Sequence, residues 1–351
     1  MYILIAILLL GILIAVHEFG HFIAARICGI EVMEFAIGMG PKIFGWTGKK
    51  SGTKFSLRCI PLGGFCAFYG EDDVEGKSKD DPRAYSKQNV WKRIFTVAMG
   101  PMMNFVLALV VAIAVYAFMA VPVVEPMITE IVPDSPAALA GLQPGDVITA
   151  VDGTDVLDGT ITALSAAIGN IEGVQEHHLT VRRGEEIFEA VAATYWDEAE
   201  QKYRIGITFT GKVIDSYHLP FGEAVQAGWG YCLDAGAIVF EALGKLFTDP
   251  AVRDQMAGPV GTVAVVSQAV EQDGAIAFFS LLVMISVNLG IMNLLPIPGL
   301  DGSRIVFHLI EAVRGKPIKP EREALVHLIG MIFLFGLMIF FTFKDVVRLF
   351  Q

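Results

Sequence analysis

Residues 17–21 read His17-Glu18-Phe19-Gly20-His21, two histidines four apart with a glutamate beside the first. On a helix, positions i and i+4 project within about 40° of each other one turn apart, so both imidazoles face one ion while the carboxylate meets water held by it. The chemistry of such a set is metal-assisted hydrolysis. A helix end whose histidines and glutamate merely meet lipid headgroups is the alternative. It loses weight because the motif follows a charge-free run from Met1 to Val16, where ionisable groups are retained only with a partner or a function.

Hydrolytic zinc sites keep three protein ligands and leave one position for water. Glu31 and Glu34 are near in sequence, but they follow Gly29 in a basic segment. Asp301 is the better candidate, in Asn293-Leu294-Leu295-Pro296-Ile297-Pro298-Gly299-Leu300-Asp301-Gly302 at the end of another apolar run. Pro296 and Pro298 cannot sustain helical hydrogen bonding, and Gly299 and Gly302 loosen the backbone further. An unwound backbone at membrane depth is tolerated where protein or a water-filled cavity receives its polar groups, and hydrolysis requires such a cavity. By itself the segment reads equally well as a helix terminus with a proline stop.

The elements that must position these residues follow from charge. Of 351 residues, 54% are hydrophobic and 18% charged, with a mean hydropathy of +0.57; this is a membrane composition. The excess of 37 acidic over 26 basic residues excludes a nucleic-acid footprint. Four apolar stretches predict transmembrane helices over 1–25, 94–124, 274–300 and 324–343. The first lacks the basic start and small-residue cleavage site of a signal peptide. Residues 25–93 hold twelve of the basic residues and 301–323 hold five, so these connections are expected inside. Residues 121–275 carry 23 acidic against seven basic residues, a balance of −16, and are expected outside with both termini. His17 then follows about 24 Å of helix, and it meets Asp301 in the cytoplasmic half of the bilayer. With Cys28, Cys59 and Cys66 on or near the reducing side and Cys232 alone outside, no structural disulfide is expected.

Together these residues resemble the site-2 protease family of intramembrane zinc metalloproteases, peptidase family M50, and specifically the bacterial enzymes that cleave anti-sigma factors in regulated intramembrane proteolysis. The paired motifs carry the resemblance, with Gly100-Pro101-Met102-Met103-Asn104-Phe105 and Gly258-Pro259-Val260-Gly261 in agreement. Ser303 stands where many relatives repeat Gly. The resemblance implies one Zn2+ per chain on His17, His21 and Asp301, acid-base catalysis by Glu18, Asn293 beside the substrate with Pro296 as a further substrate contact, and a bacterial inner-membrane location. Its substrates would be single-span proteins already trimmed outside, such as anti-sigma factors or signal-peptide remnants. For Asn293 the other reading is a buried amide serving the backbone freed by Pro296; for Asn104, packing has at least equal weight. A nonenzymatic scaffold has no need of a carboxylate beside the ligands, and a transporter would show a pseudo-repeat that is not apparent.

Within the loop 26–93, Val32–Ile43 and Lys54–Tyr69 are rich in aromatic and β-branched residues around the turn Gly48–Gly52. They predict a β-hairpin or small sheet dipping into the membrane, with Gly63, Gly64 and Phe65 near the site and an open edge for an unwound substrate. Residues 125–211 contain Ser135-Pro136-Ala137-Ala138 and Gly141-Leu142-Gln143-Pro144-Gly145-Asp146, which resemble a single permuted PDZ domain; a peptide partner there, or a size filter, is implied. Residues 212–273 predict amphipathic helices on the outer membrane surface, and 344–351 an outer tail. His308 and His327, in or beside apolar helices, read as interfacial rather than as ligands. The expected fold is thus a four-span helical membrane protein with a membrane-associated β-hairpin or sheet and one extracytoplasmic α+β PDZ domain.

Overall fold

The computed structural model describes residues 2–71, 81–119, 121–157, 162–169, 173–198, 202–246, 248–249, 258–316, 318 and 320–349. The chain runs α1 (Tyr2–Cys28), β1 (Val32–Thr47), β2 (Lys54–Phe68), α2 (Val90–Phe118), β3 (Val121–Ile131), α3 (Pro136–Leu139), β4 (Val147–Val151), β5 (Thr154–Asp155) and α4 (Thr162–Gly169). It continues through β6 (Glu176–Arg183), β7 (Glu186–Ala193), β8 (Tyr195–Asp197), β9 (Lys202–Arg204), β10 (Ile207–Tyr217), α5 (Phe221–Lys245), α6 (Pro259–Leu294), α7 (Asp301–Arg314) and α8 (Pro320–Leu349). These elements form two units, Met1–Val115 with Gly222–Gln351, and Tyr116–Phe221.

In the first unit, the helices Tyr2–Cys28, Val90–Phe118, Gly274–Leu294 and Glu321–Val347 are long and apolar enough to cross a membrane, as a multi-pass membrane protein requires. Two spans end six residues short of expectation, while α8 runs on to Leu349 through most of the stretch expected as a tail. The second helix stops at Phe118 rather than 124, because the Val-rich stretch after it pairs as β3. The third stops at Leu294 rather than 300, since two prolines withdraw N–H groups from the helix ladder. Residues 301–314, expected as loop, form the amphipathic α7.

The expectation for 212–273 also changes. Residues through Tyr217 belong to β10, and α5 does not stand apart from the spans. Ala235 and Val239 of α5 pack with Ala108 and Ala112 of α2 and with Val283 and Val287 of α6. Small residues permit this approach: a Cβ on Gly228 would lie 2.9 Å from the Ile113 backbone nitrogen. Gly274, at φ 64°, breaks α6, and Val266 and Val270 ahead of the break pack on Ala6, Leu9 and Leu13 of α1. Within this region, residues 247 and 250–257 lie outside the described residues.

The paired strands β1 and β2 are more than a simple hairpin. Residues 32–37 pair with 64–68 on one side and 54–57 on the other, while 42–47 pair with 54–58. Gly38, Gly40 and Gly63 supply the left-handed backbone where the strands bend, at φ 87°, 82° and 80°. The result is a small sheet whose outer segments are 42–47 and 64–68. The turn forms as expected, with the Gly52 N–H donating to the Gly48 carbonyl at 2.9 Å.

The second unit is an antiparallel sheet in the order β10-β3-β4-β6-β7, with β5 on β4. Ile128, Ile148, Leu164, Leu179, Val181 and Ile205 fill its core. The Ser-Pro motif caps a helix: Ser135 Oγ accepts from the Ala138 N–H at 3.3 Å, with Pro136 in the first turn of α3. The Pro-Gly-Asp turn closes on Asp146, which accepts from the Gln143 N–H at 2.8 Å and from the Arg183 guanidinium at 2.7 and 2.8 Å. Burial alone would raise the Asp146 carboxyl, but these bonds hold it below the ordinary aspartate range.

Candidate metal centre

His17, Glu18 and His21 occupy the C-terminal half of α1, and Asp301 opens α7 after the six-residue break that follows α6. The three donors converge. Asp301 Oδ2 lies 3.1 Å from His17 Nε2 and 3.3 Å from His21 Nε2, the two imidazole nitrogens are 3.3 Å apart, and one donor atom from each residue lies within 4.8 Å of the others. Asp301 Oδ2 is buried without a hydrogen-bond partner. Two imidazole nitrogens and a carboxylate oxygen, each presenting a lone pair to the same point, fit a divalent cation of zinc's donor preference.

The surrounding groups orient the ligands. His21 Nδ1 donates to the Thr96 carbonyl at 3.0 Å, which leaves Nε2 free to coordinate. His17 Nδ1 lies 3.3 Å from the side-chain amide of the fully buried Asn104, whose Oδ1 lacks a partner. Turning that amide over presents its oxygen to an Nδ1–H, the tautomer a metal on Nε2 demands. Ser286 Oγ donates to the Asn104 carbonyl at 2.7 Å, tying α6 to the same point on α2. The interhelical approach depends on glycine: a Cβ on Gly100 would overlap the His21 imidazole, and one on Gly20 the Met99 carbonyl.

A cavity of about 410 Å³ adjoins the donors, with His17, Glu18, Asn104, Asn293, Gly63 and Gly64 in its wall beside apolar residues of α8. A Cβ on Gly64 would lie 2.9 Å from Glu18 Cγ, so the outer sheet segment passes directly against the acid. Asn293 and the two glycines are therefore in the cavity wall. Two expected substrate contacts are not: Pro296 is exposed and outside the cavity wall, and Phe65 sits beneath the Arg58 guanidinium at 4.9 Å. Neighbouring strand residues point to opposite faces, and the broken loop presents Gly299 and Leu300 to the cavity instead.

The polar scaffold around α7 escaped sequence reasoning. Arg304 pairs with Glu71, and Arg93 pairs with Glu311 at 2.5 Å. The Tyr85 hydroxyl lies within hydrogen-bond distance of His308 Nε2, at 2.8 Å. Burial, then the Arg93 and Arg304 charges, hold His308 down at about 3, so its ring is neutral. His308 is thus an interior residue rather than an interfacial one, and His327 accepts from the Gly299 N–H at 3.3 Å. Asp345 accepts from the Gly258 and Gly261 N–H groups at 3.2 and 2.8 Å, capping the Gly-Pro-Val-Gly start of α6. Only a charged group late in an apolar helix could have signalled it.

The profile of peptidase family M50 matches residues 5–337. The chain belongs to peptidase family M50. That is a metalloprotease family that uses zinc, in keeping with the donor set above. Among its relatives, a protein of Agrobacterium fabrum named as a zinc metalloprotease is 34% identical over 98% of this chain and 95% of its own length. One of Clostridium acetobutylicum, with a similar name, is 34% identical over 98% and 97%. The regulator of sigma-W protease RasP of Bacillus subtilis is 31% identical over 98% of each. As an M50 member the chain is a metalloprotease with zinc as its cofactor.

Proposed function

We propose that this M50 metalloprotease hydrolyses a peptide bond inside the membrane-spanning segment of a single-span protein already shortened outside the membrane, which is regulated intramembrane proteolysis. One observation carries the reading: His17 and His21, beside Glu18 on a helix apolar enough to span, converge with Asp301, which follows the loop that ends another such helix, around a cavity flanked by a sheet edge. The name of the sigma-W relative supports anti-sigma factors as a substrate class, and signal-peptide remnants share the same chemistry.

His17, His21 and Asp301 are the ligands in this proposal. Bound zinc would supply Lewis acidity and lower the pKa of water toward about 7. Glu18 takes the proton of the attacking water and returns it to the leaving amine. Gly63 and Gly64 offer backbone on an outer strand segment to which an unwound substrate can add as a further strand. Asn293 supplies a hydrogen-bonding amide across the cavity. The second unit is the PDZ-like domain of this proposal; with its acidic surface and both chain termini outside a bacterial inner membrane, it restricts access to trimmed substrates or holds a peptide.

The test is cleavage of single-span candidates, including an anti-sigma factor, in proteoliposomes with and without chelator. Glu18→Gln protein is expected to retain zinc and lose turnover. Undiminished turnover by that variant would falsify the assignment of Glu18.

A further inference from the structure

The loop that carries Asp301 has few ways to satisfy its backbone. Pro296 and Pro298 have no N–H. Leu295, Ile297 and Leu300 donate to the Met292, Leu295 and Ile297 carbonyls at 3.2, 2.7 and 3.0 Å, all within the loop or its own helix end. Gly299 alone among these residues reaches another element, donating its N–H to His327 Nδ1 at 3.3 Å. Two further features press α8 onto the same stretch. A Cβ on Gly330 would overlap the Pro298 carbonyl, and one on Gly299, at φ 99°, would lie 3.3 Å from the Met331 nitrogen. Residues 327, 330, 331 and 334 share one helix face, so the face of α8 that grips the loop also supplies Met331 and Leu334 to the cavity wall.

We infer that His327 is a positioning residue for Asp301: as acceptor for the Gly299 N–H, it fixes the unwound loop against α8 and with it the carboxylate two residues on. The inference rests on Asp301 being a zinc ligand, as proposed above. To accept, Nδ1 carries no proton, so the ring bears its hydrogen on Nε2, which faces Glu323 Oε1 at 3.9 Å. His327 touches neither substrate nor metal in this scheme. It acts through the loop.

Asparagine and glutamine separate this role from mere packing. In His327→Asn the amide oxygen takes the place of Nδ1, whereas in His327→Gln it falls near the place of Nε2. Full-length wild type, His327→Asn, His327→Gln and His327→Leu are compared in proteoliposomes for zinc retention against a chelator, for kcat and KM separately, and for Tm. The expected result is that Leu and Gln lower zinc affinity and kcat by about 10–100-fold, with KM and Tm close to wild type, and that Asn restores both. The inference is overturned if His327→Leu keeps wild-type zinc affinity and kcat, or if Asn, Gln and Leu lose them equally together with Tm. Failure of the underlying reading looks different: wild type itself would hold no zinc, or Asp301→Asn would hold it as tightly as wild type.

Discussion

A methyl group on Gly100 would occupy the space of the His21 imidazole. Gly100→Ala is therefore expected to displace that ligand and weaken zinc retention by about tenfold or more, measured by chelator competition. Asn104→Leu removes the group beside His17 Nδ1; zinc affinity should fall by about 10–100-fold while a Glu18→Gln control keeps its metal. His17, Glu18, His21 and Asp301 were legible in the sequence because their side-chain types carry the chemistry. Asn104 and the Thr96 carbonyl were not, since an amide or a backbone oxygen acquires its role only from what stands opposite.

At the scale of elements, the outer segment 64–68 pairs through Phe65 with Ala36 and through Ala67 with Glu34, leaving its other side for a further strand. Ala67→Pro should reduce substrate cleavage by about tenfold or more without releasing zinc, if strand addition presents the substrate; parallel loss of zinc would mark the effect as structural. The second unit offers a test by pH. Asp146 is 1% exposed and ionised against Arg183, with its pKa held below the ordinary value. Its contribution to stability is complete above the unfolded value of about 3.9 and is lost as pH falls through the lower folded value. Asp146→Asn should cost about 1–2 kcal/mol at neutral pH and flatten the acid limb of thermal unfolding.

For the whole molecule, the alternation of basic and acidic segments makes a prediction about sidedness. Cysteines introduced at Lys50 and at Asp215, in a background with the four native cysteines replaced, should label from opposite faces of sealed vesicles with a membrane-impermeant reagent. Labelling from one face would remove the proposed topology, and with it the placing of the metal centre in the cytoplasmic half. Hydropathy made the spans readable because about 20 apolar residues are needed to cross a bilayer. It could not show α5 lying against Ala108 and Val287, because Asp234 and Glu241 dilute its hydropathy while its alanines and glycines permit the approach.

By itself the sequence determined the chemistry that is local: an HExxH helix, a proline-broken loop ending in Asp301, turns at Gly48–Gly52 and Pro144–Asp146, and four apolar runs. Each follows from spacing along one segment, where helical or strand periodicity converts position into direction. Only the tertiary structure decided how closely the Asp301 carboxylate faces the two histidines, at 3.1 and 3.3 Å, that glycines at 20, 64 and 100 let backbone approach the site, and that α8 reaches back to hold the Asp301 loop through His327. These are contacts between segments up to about 300 residues apart, set by how closely helices can approach, and no periodicity within one segment records them.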